Sequence, residues 1–137
     1  MKAIVTGGAG FIGSHLVDLL LKENIDVTVL DNFSTGRPEN LSHVMGQIEL
    51  VECDLGIPGN WIKNVDNADW VFHLAALADI VPSIQHPEAY FRANVDGTFN
   101  VLQASKAAGV KRFIYIASSS CYGIPDKYTT PENAEIR

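Results

Sequence analysis

Three glycines and one aspartate near the start of the chain have the types and spacing of a site for phosphates and ribose. Gly7, Gly10 and Gly13 directly follow the short run 2–6, and Asp31 stands eighteen positions after Gly13. Glycine permits a sharp turn at the first position, close approach of a pyrophosphate at the second, and tight helix–sheet packing at the third. A carboxylate at the position of Asp31 accepts hydrogen bonds from ribose hydroxyls and repels a 2′-phosphate. The pattern therefore predicts a dinucleotide site that prefers NAD to NADP.

The residues around this pattern predict a strand, a glycine turn, a helix and a second strand. Apolar side chains at positions 12, 16, 19 and 20 recur at helical spacing, and the β-branched run 25–30 ends at Asp31. The first N–H groups of such a helix point at the phosphates, so Phe11 and Ile12 join Gly13 in the expected cofactor site. A strand–helix turn in a domain without a ligand is the alternative interpretation.

The next segment, 32–38, is rich in turn residues and is expected to lie beside the adenosine. Asn32 and Ser34 are candidates for further polar contacts with the cofactor, although simple turn chemistry explains Ser34 equally well. Arg37 is a residue type that can serve a 2′-phosphate, but Asp31 keeps the prediction on NAD.

The composition is that of an ordinary globular domain. The 137 residues are 47% apolar and 19% charged, and the net charge of −6 argues against binding to nucleic acid or to an acidic membrane surface. Cys53 and Cys121 are expected to be reduced and buried, and we expect no metal site. No apolar run reaches the ~18 residues of a membrane span. Because Met1 and Lys2 lead directly into the first strand, we expect a cytoplasmic protein without a signal peptide.

The rest of the chain alternates between predicted helices and strands. Strands are expected at 48–52, 69–76 and 112–117, short helices at 39–46 and 59–67, a loop at 77–85 around Pro82, and a long helix at 86–108 that Gly109 ends. These elements predict an α/β fold, a Rossmann-type doubly wound parallel sheet of about five strands in the order 3-2-1-4-5, with helices on both faces. We expect one domain over residues 1–137, truncated before the later strands of such a sheet.

Small residues follow the predicted fourth strand, where they would leave room for a ligand at the crevice in which strand order reverses. These residues are Leu74, Ala75 and Ala76. We expect His73 to be a half-buried strand residue rather than an acid–base group. The loop after it contains two candidates for contact with a substrate, Ala78 and Ser83.

The glycine spacing Gly-x-x-Gly-x-x-Gly resembles that of the extended short-chain dehydrogenases/reductases. Other similar segments follow in order, and they are Asp31-Asn32, Asp54-Leu55, 73–76, 93–98 and 118–123. Together they span nearly the whole chain and resemble the NAD-dependent epimerase/dehydratase family, most of all its UDP-sugar 4-epimerases.

This resemblance implies roles for residues whose spacing alone is ambiguous. Asp54 would accept from the adenine amino group while Leu55 packs on the ring, although Asp54 is also a candidate helix N-cap. Asn94 would brace the active site against the strand opposite. Ser118 matches a catalytic residue that hydrogen-bonds the C4 oxygen of the sugar, and Ser119 and Ser120 match substrate contacts. A turn or N-cap cluster is the alternative for the serine triplet.

The same family uses a Tyr-x-x-x-Lys pair for proton transfer while NAD takes a hydride from C4 and returns it to the other face. The four tyrosines here are followed four positions later by Asn94, Ser119, Asp126 and Glu132, so the pair is absent. We therefore expect the amino-terminal portion of an enzyme, able to bind NAD but unable alone to convert a nucleotide sugar.

Two further expectations follow from the same comparison with the family. An uncovered fifth strand and an uncovered helix 86–108 would expose apolar surface, which predicts a homo-oligomer. The alternatives to an epimerase are a non-catalytic dinucleotide-binding or regulatory module and a fragment of a dehydratase or reductase. Ser119 and Ser120 stand where the dehydratases carry Asp-Glu, which disfavours dehydration.

Overall fold

A parallel five-stranded sheet lies at the centre of the computed structural model, which describes residues 1–124 and 128–136. The strands are β1 (Lys2–Thr6), β2 (Asp26–Asp31), β3 (Ile48–Glu52), β4 (Trp70–His73) and β5 (Arg112–Tyr115). Their order is β3-β2-β1-β4-β5, and all four pairings are parallel. The predicted fold class and strand order are confirmed, although β4 and β5 end three and two residues earlier than predicted.

The connections between strands are helical and lie on both faces of the sheet. They comprise α1 (Phe11–Lys22), 3₁₀ segments at Pro38–Val44 and Asn60–Val65, α2 (Ile80–Gln85), α3 (Pro87–Phe91), a π-helical segment (Arg92–Asp96), α4 (Gly97–Ala107) and a last 3₁₀ turn at Ser119–Tyr122. The segments from α3 to α4 follow one another directly, which confirms the long helix predicted at 86–108. Gly109 ends it with a positive φ of 68°. Within the described residues, no helix is long and apolar enough to cross a membrane.

Two apolar clusters cover the two faces of the sheet, because the central strand β1 is buried on both sides. Val5 belongs to the cluster that α1 covers with Val17 and Leu20. Ile4 points to the opposite cluster, which contains Trp61 and residues of α4. Trp61 is 4% exposed and packs within this second cluster.

The predicted loop at 77–85 is wrong over its second half, because α2 occupies Ile80–Gln85. Pro82 suggested a loop, yet it stands at the third position of the helix. Its missing N–H costs nothing there, since the first N–H groups of a helix have no intrahelical partner. None of the six residues of α2 is buried, so the apolar core does not explain this helix.

The apolar spacing in α1 predicts the helix correctly but not its buried face. Ile12 and Leu19 are 65% and 55% exposed, whereas Gly13, Ser14, Val17 and Leu20 are buried. The small residues face inward because the helix starts directly against the glycine turn, where there is no room for a larger side chain.

Gly13 shows this crowding most clearly. A Cβ at this position would lie 2.2 Å from the carbonyl oxygen of Gly7 and 2.7 Å from Cα of Gly8. The prediction that Gly13 permits close packing is therefore confirmed, but its neighbour is the backbone of the turn rather than the face of the sheet.

We expect Gly13→Ala to lower the free energy of unfolding by about 1–3 kcal/mol, because the methyl group meets backbone atoms that cannot move aside. Helix propensity alone would favour alanine by about 1 kcal/mol. A destabilised variant would therefore show that the steric overlap outweighs helix propensity. Urea unfolding measures the change in stability, with Gly46→Ala as the control, since a Cβ at Gly46 has no atom within 4 Å. A stability gain in Gly13→Ala would contradict the packing argument.

Candidate nucleotide-binding cleft

A cleft opens at the carboxyl ends of β1, β2 and β4, where the chain order of the sheet reverses and where such folds place ligands. Its empty space, open mouth included, is about 650 Å³. Ten of the predicted cofactor residues line it: Gly7, Gly10, Asp31, Asn32, Ser34, Asp54, Leu55, Leu74, Ala75 and Ala76. Residue types and spacing thus predicted eight of these ten residues, and the family resemblance added Asp54 and Leu55.

The glycine turn forms the floor of the cleft. Gly7 has a φ of 69°, and a Cβ there would lie 2.8 Å from the backbone nitrogen of Ala75. The N–H of Gly7 donates to the carbonyl of Leu30 at 2.9 Å, which ties the turn to β2. Gly8 was missed by sequence reasoning, although a Cβ there would lie 2.7 Å from Cγ1 of Val29.

The amino end of α1 meets the glycine turn. Gly10 is its N-cap residue and no side chain caps the helix, so its first N–H groups are left for a ligand. The side chains of Phe11 and Ile12 are exposed and, like Gly13, do not line the cleft. Any contact of these three residues with a cofactor is therefore made by their backbone N–H groups.

The Asp31 carboxylate joins the two loops that border the cleft. Oδ2 accepts from the N–H of Ala9 at 2.9 Å, and Oδ1 accepts from the N–H of Phe33 at 2.8 Å. The residue is 7% exposed and lines the cleft. Each carboxylate oxygen has a second lone pair, so both can also accept from a ligand hydroxyl.

The loop after Asp31 folds over the glycine turn. The side-chain oxygen of Asn32 accepts from the N–H of Ser34 at 3.0 Å, and the N–H of Arg37 donates to the carbonyl of Ala9 at 3.0 Å. Asn32 and Ser34 lie at the cleft as predicted, and the hydrogen bond between them is the turn chemistry offered as the alternative for Ser34.

Asp54 has partners on both of its oxygens. Oδ1 accepts from the N–H of Gly56 at 2.9 Å in a turn, and Oδ2 is paired with the Arg92 guanidinium. The Arg92 hydrogen bond is the main reason why the pKa of Asp54 lies below its usual value. No helix begins at Asp54, so the N-cap alternative is wrong.

Cys53 also lines the cleft but does not have the properties of a nucleophile. Burial, with smaller contributions from the charges of Asp31 and Asp54, raises the pKa of its thiol to about 11. Both cysteines are free, and both are partly rather than fully buried as predicted. Within the described residues, no group of His, Cys, Asp and Glu is arranged to hold a metal.

His73 is more deeply buried than predicted, at 1% exposure. Its Nδ1 lies 2.8 Å from Oγ1 of Thr6, and its Nε2 lies 3.0 Å from Oγ1 of Thr98. The ring of Tyr115 stacks on the imidazole at 5.9 Å between centroids. Burial lowers the pKa of His73 to about 4, so the imidazole is neutral near pH 7.

Asn94 braces the segment after β4. Its Oδ1 accepts from the N–H of Leu77 at 2.8 Å, and its Nδ2 donates to the carbonyl of Leu77 at 2.9 Å. The resemblance implied bracing against the strand opposite, whereas the partner of Asn94 is Leu77 in the segment that follows β4. The side chain of Asn94 does not line the cleft, so it acts on a cofactor only through Leu77, which does.

The predicted substrate residues lie outside this cleft. Ala78 is exposed, Ser83 donates from Oγ to the carbonyl of Ile80 at 2.6 Å, and Ser118 is exposed and caps a 3₁₀ turn. Oγ of Ser118 accepts from the N–H of Ser120 at 3.2 Å and donates to Oγ of Ser120 at 3.0 Å. This is the N-cap arrangement weighed as the alternative for the triplet that also contains Ser119.

Sequence reasoning missed seven residues that line the cleft. They are Leu30, Thr35, Gly36, Cys53, Gly56, Leu77 and Ala93. Each lies within two positions of a residue that was predicted. Closeness in sequence to a predicted residue could therefore have identified them, whereas their residue types could not.

The strand order, the glycine turn and the acidic residue at the end of β2 define a dinucleotide-binding protein of the Rossmann class. The sequence model of the NAD dependent epimerase/dehydratase family matches residues 3–136. The chain belongs to this family, in which NAD is the cofactor.

Proteins similar to this chain include several that act on nucleotide sugars. UDP-glucuronic acid decarboxylase 1 of Arabidopsis thaliana is 39% identical over 96% of this chain and 29% of its own. UDP-glucose 4-epimerase 3 of Oryza sativa subsp. japonica is 34% identical over 98% of this chain and 39% of its own. The solved dTDP-glucose 4,6-dehydratase DesIV of Streptomyces venezuelae, with NAD bound, is 32% identical over all of this chain and 45% of its own, with a TM-score of 0.89. The chain spans less than half the length of each of these proteins.

We expect the stability of the protein to fall as the pH is lowered from about 6.5 to about 4, because His73 stays neutral in the folded state. The unfolded chain binds a proton at this residue near pH 6.5, so the contribution is complete above that pH and is lost by about pH 4. Across this pH range the contribution of His73 to the free energy of unfolding falls by about 3 kcal/mol. The pKa values of the carboxylates Asp54 and Asp69 are lowered, so their protonation reduces stability only below this pH range.

Urea unfolding of His73→Gln at about pH 7 and about pH 5 measures this contribution. The variant should show a smaller difference between the two pH values than the wild type. His86→Gln is the control, since His86 is exposed. An equal pH dependence in wild type and His73→Gln would contradict the assignment.

Proposed function

We propose that this cleft binds NAD and that the chain is the cofactor-binding portion of a nucleotide-sugar 4-epimerase. The observation that carries the proposal is the Asp31 carboxylate, which lies at the cleft and is held by the glycine turn itself. A carboxylate so placed suits the ribose hydroxyls of NAD and opposes the 2′-phosphate of NADP.

The residues of the cleft fit the parts of NAD in order. Gly10 and the amino end of α1 take the pyrophosphate, because the uncapped N–H groups of the helix are available and Gly10 has no side chain to block the approach. Asp31, Asn32 and Ser34 face the adenosine ribose, while Asp54 and Leu55 border the adenine. The segment Leu74, Ala75 and Ala76 borders the nicotinamide ribose.

Bound NAD would supply the hydride chemistry at C4 of the sugar. Ser118 hydrogen-bonds the C4 oxygen in this proposal. Its position supports that role, because the N–H of Ile116 donates to the carbonyl of His73 and so continues β5 to the same edge of the sheet. Ser119 and Ser120 contact the substrate, and Ala78 and Ser83 approach it from the segment after β4. Without a Tyr-x-x-x-Lys pair, the 137-residue chain alone does not turn over a UDP-sugar.

A second candidate is a decarboxylase or dehydratase of the same family. It is supported by the 39% identity to the Arabidopsis decarboxylase, although a solved UDP-galactose 4-epimerase is 41% identical to this chain. Ser119 and Ser120 continue to argue against the dehydratase. A non-catalytic dinucleotide-binding module is the remaining alternative, and it agrees with the missing Tyr–Lys pair. A cytoplasmic location belongs to the same proposal and is supported by the free thiols of Cys53 and Cys121.

We expect NAD to raise the midpoint of thermal unfolding more than NADP does at equal concentration. Asp31→Asn should weaken the stabilisation by NAD and narrow the difference between the two dinucleotides, since the repelling charge is removed. Differential scanning fluorimetry with each dinucleotide measures both effects.

The matched control is Asp26→Asn, because Asp26 is an exposed aspartate at the opposite end of the same strand. It should respond to both dinucleotides as the wild type does. Equal stabilisation of the wild type by NAD and NADP would contradict the role of Asp31, and no response to either would contradict the cofactor.

The partner proposed here is a second copy of the chain. An apolar series stands exposed along α3, the π-helical segment and α4, and its members are Phe91, Val95, Phe99 and Leu102, each 48–58% exposed. Exposed apolar surface of this kind favours association.

We expect a dimer or larger species at micromolar concentration, and Phe99→Glu should shift it to a monomer because a charge is costly in an apolar interface. Multi-angle light scattering gives the mass. Met45→Glu is the control, since Met45 is also 48% exposed but lies outside the series. A monomeric wild type would refute self-association through this series.

A further inference from the structure

A chain of polar side chains links the ends of β1 and β4 to α4 beside the cleft. Thr6 at the end of β1 and His73 at the end of β4 are 0% and 1% exposed, and Thr98 lies in α4. The imidazole stands between the two hydroxyls, at 2.8 Å from Thr6 and 3.0 Å from Thr98. One ring therefore links three elements that are distant in sequence.

The proton positions in this chain follow from its partners. Oγ1 of Thr98 donates to the carbonyl of Asn94 at 2.6 Å, which uses its only proton, so it must accept from His73. Nε2 of His73 consequently carries the ring proton. Nδ1 is then an acceptor, and the hydroxyl of Thr6 donates to it.

The direction of these bonds leaves the Thr6 oxygen free to accept. It receives the N–H groups of Leu74 and Ala75, each at 3.2 Å. Both residues line the cleft, and their backbone packs so closely against Gly7 that a Cβ there would lie 2.8 Å from the backbone nitrogen of Ala75. At the other end of the segment, Asn94 holds the N–H and the carbonyl of Leu77.

We propose that His73 is a positioning residue, which as a neutral imidazole with its proton on Nε2 couples Thr6 to Thr98 and so fixes the cleft wall 74–77. The proposal rests on the proposed function, because the wall is expected to border the nicotinamide ribose of NAD. A proton on Nδ1 would turn the Thr6 hydroxyl away and occupy one of the two lone pairs that receive the N–H groups of Leu74 and Ala75. The wall would then lose part of its anchor on Thr6, and the N–H of Leu74 would keep its bond to the Thr6 carbonyl.

Two isosteric variants remove the hydroxyls without changing the shape of the core. Thr6→Val and Thr98→Val should each weaken NAD binding about tenfold, since each leaves buried polar groups unpaired. Thr6→Ser and Thr98→Ser keep the hydroxyl and should restore binding. Thr28→Val is the matched control, because Thr28 is a buried threonine whose hydroxyl bonds Glu49 outside this chain of groups. Isothermal titration calorimetry with NAD measures each affinity.

A second readout does not depend on the cofactor. Nitrogen-15 NMR of the imidazole should show a protonated Nε2 and an unprotonated Nδ1 near pH 7, and hydrogen exchange at the amides of Leu74 and Ala75 should be faster in Thr98→Val than in Thr28→Val. A proton on Nδ1, or an affinity loss in Thr6→Val and Thr98→Val no greater than in Thr28→Val, would overturn the proposal. If the wild type does not bind NAD, the proposed function fails, and the proton position and the exchange rates still decide whether the coupling exists.

Discussion

The hydrogen bond from the N–H of Ala9 to the Asp31 carboxylate holds together the two loops on which the cleft depends. The glycine turn has few side chains of its own, so it cannot be fixed by apolar packing. Asp31 supplies a buried acceptor from the neighbouring strand, and the N–H of Phe33 holds the same carboxylate from the other side. A residue expected only to recognise a ribose therefore also shapes the site in which it acts.

On the opposite side of the cleft, hydrogen bonds from side chains to the backbone fix the wall. There the wall is a short backbone segment of small residues, and its polar groups are anchored from below by Thr6 and at its far end by Asn94. Small side chains leave room for a ligand but contribute little packing. Buried hydrogen bonds take over the role of fixing the segment, since an unpaired polar group in that position would be costly.

Asp54 illustrates how a polar residue at the cleft can have structural and binding roles at once. Its pairing with Arg92 links the segment after β3 to the helical stretch opposite. Gly56 makes this contact possible, because a Cβ there would lie 2.7 Å from Cγ of Arg92. This side of the cleft is thus bordered by two elements that the ion pair joins.

The sequence by itself determined the alternation of elements and eight residues of the cleft, because glycine spacing and β-branched runs act through local backbone geometry. The strand order followed from the fold class that these elements predict, and the family resemblance added Asp54 and Leu55. It did not determine that Ile12 and Leu19 face outward, that 80–85 is helical, or that His73 is fully buried. The outward face of α1 and the burial of His73 depend on the residues that pack opposite them, whereas no buried contact explains the helix at 80–85. Gly13 meets the carbonyl of Gly7, and His73 meets Thr6 and Thr98, residues 67 and 25 positions away. Only the packing of the sheet brings such partners together, so their pairing, and with it the proton position on the imidazole, was decided by the tertiary structure.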